Sequence, residues 1–191
     1  MSEERPPILD VDWRYRVATT LEEDWVSPDT GVLHKKGSPV MVSTFFQHGD
    51  RRIAVGDPSA PALFLSQSHK AYERALEIHP FLGKRLPASG EDPSIRVYDY
   101  LESIMASIIF AYMAIEAFAS EEIPENFTYA TQRASNLSVA YQKKSIERYI
   151  SLDEKLAKVL PEAVEKPTPK GSKTWEEYVH LKRLRHRIVH I

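Results

Sequence analysis

With 191 residues, 42% of them hydrophobic and 27% charged, the chain is sized for one domain, or one domain with a small appendage, and can bury a core. It has no cysteine, which excludes a disulfide framework, a thiolate zinc site, a cysteine nucleophile and thiol redox chemistry together. The net charge of −2 conceals an asymmetry: residues 1–27 hold seven acids against three bases, whereas residues 166–191 hold seven bases against two acids. Such a basic end suits a polyanion, although cations also complement the C-terminus of any helix.

The opening Met-Ser-Glu-Glu-Arg-Pro-Pro lacks the basic-then-apolar pattern of a signal peptide. The most apolar stretch, Ile104 to Ala119, carries Glu116 and is shorter than the ~20 residues of a bilayer span. It reads as a buried helix, and the expectation is a cytoplasmic protein without a membrane partner.

In chain order, the first 57 residues read as β structure. Trp13 to Thr19 roughly alternates, Val40 to Phe46 is rich in β-branched and aromatic residues, and Arg51 to Val55 follows His48-Gly49-Asp50, whose glycine suits a tight antiparallel connection. Asp29-Thr30-Gly31 and Lys36-Gly37-Ser38-Pro39 are further turns. The prediction is a small meander of two to four strands over 1–57, followed by a helical domain over 58–191.

From Pro61 the period changes. Leu65, Tyr72 and Leu76 sit at helical spacing and Pro80 closes the segment; Leu86 to Glu91 reads as loop. Asp92-Pro93 offers an N-cap and a first-turn proline for a long helix to about Ala119, apolar over so wide an arc that burial on several sides is expected. A third helix is predicted over about 133–150, carrying Leu137, Tyr141, Ile146, Tyr149 and Ile150. Ser151-Leu152-Asp153-Glu154 is a capping box for a short helix to about Val159, and Pro161, Pro167, Pro169 and Gly171 mark a mobile linker. Thr174-Trp175-Glu176-Glu177 reads as a second capping box, opening the last helix. The fold class is mainly α (α+β), a bundle of four or five helices with an N-terminal β appendage.

In that last helix Trp175, Tyr178, Leu181, Leu184, Ile188 and Ile191 form one stripe at steps of three or four. The opposite face carries Arg183, His186, Arg187 and His190, while Arg185 leans toward the bundle. Two histidines and three arginines within eight residues concentrate proton-transfer and phosphate-binding groups.

Arg185-His186-Arg187-Ile188-Val189-His190, an arginine, a polar residue, three more positions and a histidine on a late helix, resembles the motif of the HEPN superfamily. Ala114-Ile115-Glu116-Ala117-Phe118 looks like that family's early-helix segment, whose acid faces the motif arginine. An arginine with a histidine five places on is a weak signal alone, and Arg74 with His79 repeats it without a polar second position. The resemblance implies a HEPN-like bundle and a metal-independent endoribonuclease needing no cofactor. In it Arg185 neutralises the scissile phosphate, with Arg183, Arg187 and Lys182 binding RNA. His190 exchanges a proton with the 2′-hydroxyl or the leaving oxygen, as general acid or base. His186 holds the second motif position and Glu116 positions Arg185. A toxin or phage-defence setting, with an antitoxin or defence-system partner, follows from the same resemblance.

Arg185 and His190 lie about 140° apart around a straight helix, so one copy does not aim both at one atom, and a homodimer is expected. Because the motif ends one residue before Ile191, the natural chain is expected either to extend further or to have its site completed by another subunit. His186 and His190 have metal-ligand spacing, but no nearby carboxylate completes a set. Gly83-Lys84 lacks the upstream glycine of a phosphate loop. The competing reading is a non-catalytic adaptor whose basic helix binds a nucleotide, a nucleic acid or a partner protein.

Overall fold

The computed structural model describes residues 12–28, 30–41, 43–82, 92–132 and 138–190. The protein is mixed α and β, with helices holding more residues than the short strands, and it divides into two compact units, residues 1–63 and 64–191.

The first unit holds six short strands in three antiparallel pairs, more than the two to four expected. β1 (Val17–Thr20) pairs with β4 (Pro39–Met41), β2 (Trp25–Val26) with β3 (Leu33–His34), and β5 (Ser43–His48) with β6 (Arg51–Gly56). Glycines make the reversals: Gly31, Gly37 and Gly49 all have positive φ. His48 faces Arg51 across a two-residue loop in which only Gly49 has positive φ, as a type II′ turn requires. Gly56 serves differently: the Tyr15 ring stands 2.9 Å from where a Cβ would be. None of this unit's described residues is buried, and Trp13, Phe45 and Phe46 are all more than half exposed.

α1 (Ala60–Ile78) continues into a 3₁₀ turn, His79–Phe81. Contrary to expectation, its Leu65, Tyr72 and Leu76 are exposed, and the packed stripe is Phe64, Ser68, Ala75 and Ile78. Small side chains win because they let two helices approach. Ser68 Oγ donates to the Ser107 carbonyl at 2.9 Å, while Phe64 stacks on Phe110.

α2 (Pro93–Glu121) opens as expected, with the Asp92 carboxylate accepting from Ser94 N at 2.9 Å. Helix capping also holds that carboxyl below its ordinary range. Residues 83–91, including the predicted loop, lie outside the described residues. Burial on several sides is not found: Ile95, Tyr98 and Leu101 are exposed, and only small residues such as Ala114 and Ala119 are fully covered. α2 packs on α6 (Lys173–Val189) and a π-helical turn near its C-terminal end, so one wide apolar surface has few neighbours. Ser94–Glu121 is also long and apolar enough, by length and composition, to cross a membrane.

The third predicted helix is found only in its second half. β7 (Thr128–Gln132) and β8 (Ser138–Gln142) form an antiparallel hairpin, and only α3 (Lys143–Tyr149) is helical; Arg133 to Leu137 lie outside the described residues. The period-2 signal was present. Tyr129 faces Tyr141 and Thr131 faces Val139 on the covered side, while Thr128, Ala130, Ser138 and Ala140 point to solvent. Ile146, Tyr149 and Ile150 stand at helical steps of three and four, so the segment carries both periods.

Ser151 caps α4 (Leu152–Glu154), accepting from Glu154 N. A π turn (Lys155–Val159) and α5 (Leu160–Ala163) continue the run straight through Pro161. A proline inside a helix lacks the N–H for the carbonyl four residues earlier and crowds it. Here that carbonyl is Ala157's, and Thr168 Oγ1 donates to it at 2.7 Å. The wider π turn relieves the crowding. The run ends in a Schellman motif: Lys166 N bonds the Pro161 carbonyl at 2.9 Å, and Glu165 takes the left-handed position with φ of 52°. The predicted linker is therefore a tied-back segment that starts later than Pro161.

The cap of α6 stands two residues before the predicted Thr174, with Ser172 Oγ accepting from Trp175 N at 3.2 Å. The core lies where these pieces meet. Ile123, Tyr129, Tyr141, Ile146, Ile150 and Val159 form one buried cluster, and Ala119, Leu152 and Tyr178 a second beneath α6.

Candidate nucleic-acid interface on the last helix

The stripe of α6 faces inward as its periodicity demands. Tyr178 is buried, and Trp175, Leu181, Leu184 and Ile188 are half-buried; Ile191 lies outside the described residues. Arg183, His186, Arg187 and His190 are exposed on the other side. Arg185 does lean inward, its guanidinium 5.3 Å from the centre of the Tyr112 ring on α2.

All of these but His190 border an open cleft of about 440 Å³ lined by Tyr112, Asp153, Val179 and, from α6, Lys182, Arg183, Arg185, His186 and Arg187. Four cations thus meet one carboxylate. Asp153 receives hydrogen bonds from Lys182 Nζ and the Tyr178 hydroxyl. Partial burial alone would raise the Asp153 carboxyl, but these two donors outweigh it and hold it below the ordinary aspartate range. Burial, with the neighbouring Asp153 charge, pushes the Tyr178 hydroxyl far upward, so it remains a donor. Among the described residues no carboxylate pairs with Arg183, Arg185 or Arg187. Three arginines therefore keep their donor forks for an external anion.

His190 does not line the cleft. It caps the helix, donating its backbone N–H to the His186 carbonyl at 3.1 Å, and its ring centre is 4.5 Å from that of His186. His186 thus joins the cleft to His190.

Glu116 is not where the resemblance put it. It is exposed, no ion pair joins it to any arginine among the described residues, and the charge it acts upon is that of Lys155. One turn back on α2, Tyr112 takes the place beside Arg185 through its ring face. The repeated motif at Arg74 and His79 is unrelated surface, Arg74 pairing with Glu77 at 3.0 Å and His79 against Tyr100.

Asp153, Tyr178 and Tyr112 were missed as site residues. In the sequence Asp153 shows only as part of a capping box, and its pairing with Lys182, 29 residues away, is tertiary. Among the described residues no three histidine, aspartate or glutamate side chains gather as metal ligands would. Comparison with protein-family models, curated proteins and solved structures finds no match to this chain.

Proposed function

We propose that this chain is a HEPN-type endoribonuclease that cleaves RNA by 2′-hydroxyl attack, without a metal, at a site built from two copies of α6. The observation that carries the reading is the set of three arginines without carboxylate partners, next to the His186 and His190 rings in mutual contact. The arginines supply sequence-independent phosphate binding, and the histidines supply groups that can give or take a proton. Arg185, held on Tyr112, is the phosphate clamp; His190, at the exposed end of the same helix, is the general acid or base. Dimerisation would let the Arg185 of one copy and the His190 of the other approach a single phosphate.

A second reading has its own observation. Arg185 lies against Tyr112 and His190 stays outside the cleft, so within one copy the face is an anion-binding surface without converging chemistry. That favours a binding or adaptor module for a nucleotide, a nucleic acid or a partner protein.

Incubation with a labelled single-stranded RNA in EDTA separates the two. Cleavage leaving a 2′,3′-cyclic phosphate, with the matching DNA intact, is the expected result. His190→Ala should lose about 10²–10⁴-fold in rate, the usual worth of a general acid or base. Arg185→Ala should abolish cleavage while leaving RNA binding weakened but measurable. RNA retention without cleavage selects the adaptor, and cleavage by His190→Ala at the parent rate overturns the mechanism.

A further inference from the structure

Beside the first turns of α6 lies a second concavity, of about 390 Å³, independent of the RNA reading. Its walls are Ile115 and Phe118 of α2, Leu156 and Leu160 of the π turn and α5, Val164, and Trp175 of α6. Phe118 and Val164 are 45% and 42% exposed, so apolar surface stands open to water at its mouth. We propose that this pocket binds a small amphipathic monocarboxylate, with an apolar body against Phe118, Leu156 and Trp175 and an anionic end at Lys166.

Three observations carry it. The volume lies within the range of ligand sites, which pair apolar walls with a few polar groups. Lys166 is the one charged side chain in the lining, and Lys170 Nζ stands 5.9 Å from the Trp175 ring centre, so the rim is cationic; Glu162 and Glu165 of the same segment do not line it. The Tyr178 hydroxyl is already committed to Asp153, which leaves the anionic contact to the lysines. Finally, the wall is shaped before any ligand arrives. The π turn, the Thr168 bond to the Ala157 carbonyl and the left-handed Glu165 hold Leu156, Leu160 and Val164 in place, and π turns recur at functional sites.

The test uses the full chain carrying Trp13→Phe and Trp25→Phe, so that Trp175 is the sole indole, titrated with decanoate below its aggregation threshold and followed by fluorescence and calorimetry. Saturable one-to-one binding with a blue shift is expected, decanol and acetate each binding far more weakly. Lys166→Ala should weaken decanoate about fivefold, the upper worth of one exposed charge contact. Val164→Glu, at an exposed position that leaves folding intact, should abolish binding by placing a like charge in the mouth. The proposal is overturned if decanoate produces no saturable signal, if decanol binds equally well, or if Val164→Glu binds like the parent.

Discussion

Asp153 is the residue on which the basic cleft turns. Its carboxylate ties Tyr178, on the buried side of α6, to Lys182, on the cleft side. Because its pKa is depressed in the folded protein, its contribution to stability is fully present above its ordinary value of 3.8. That contribution is lost as pH falls through the lower folded value. Asp153→Asn should therefore cost about 1 kcal/mol at pH 7, a modest figure because the carboxylate is partly exposed and screened. Urea unfolding should show this gap at pH 7 and its progressive loss as the pH is lowered below 3.8; a gap unchanged by acid would place the effect in packing instead. Lys155 has the opposite character. Burial lowers its pKa, and Glu147 O at 3.0 Å and Ser120 Oγ at 3.4 Å satisfy its ammonium. Stability linked to Lys155 accordingly rises with pH between the depressed value and 10.5. Replacement by methionine should flatten that rise in alkaline unfolding curves.

Among the elements, the run from Leu152 to Ala163 makes the clearest physical statement. A proline that should have broken it is absorbed by a π turn and a threonine hydroxyl, and a glutamate stands where glycine is preferred. Left-handed backbone costs a non-glycine residue about 1–2 kcal/mol, whereas glycine adds about 0.4–1 kcal/mol of unfolded-chain entropy. Glu165→Gly should therefore stabilise the protein by a net ~0.5–1 kcal/mol. Thr168→Val should destabilise it by leaving the Ala157 carbonyl without its donor. Thermal unfolding of the two variants checks both signs, and an unfavourable Glu165→Gly would mean that the glutamate side chain contributes more than its backbone costs.

For the whole molecule, the proposed nuclease requires two copies, and salt should act on its two associations in opposite directions. Bringing two arginine-rich helices together is opposed by repulsion, which added salt screens, so dimerisation should strengthen between 50 and 300 mM salt (about one Debye-length regime to the next). RNA binding should weaken over the same range, with a log–log slope of about −2 for three phosphate contacts on a single strand. Light scattering and filter binding in matched buffers measure the two. A monomer at micromolar concentration at every salt level would remove the composite site and leave the binding module.

Composition and pattern alone determined the absence of thiol chemistry, the glycine turns at Gly31, Gly37 and Gly49, the Asp92 and Ser151 caps, and the two-sidedness of α6. Each depends on residues adjacent in sequence or one helical turn apart, where chain geometry leaves little choice. The tertiary structure decided what depends on neighbours. It buried Ser68 instead of Leu65, paired 128–132 with 138–142 as strands and opened much of α2 to solvent. It also took Glu116 away from Arg185 and set Tyr112 there instead, and it placed Asp153 under Lys182. A periodic stripe says which face of a helix is apolar, but close approach of small residues, pairing across a hairpin and the reach of a distant carboxylate decide what that face meets.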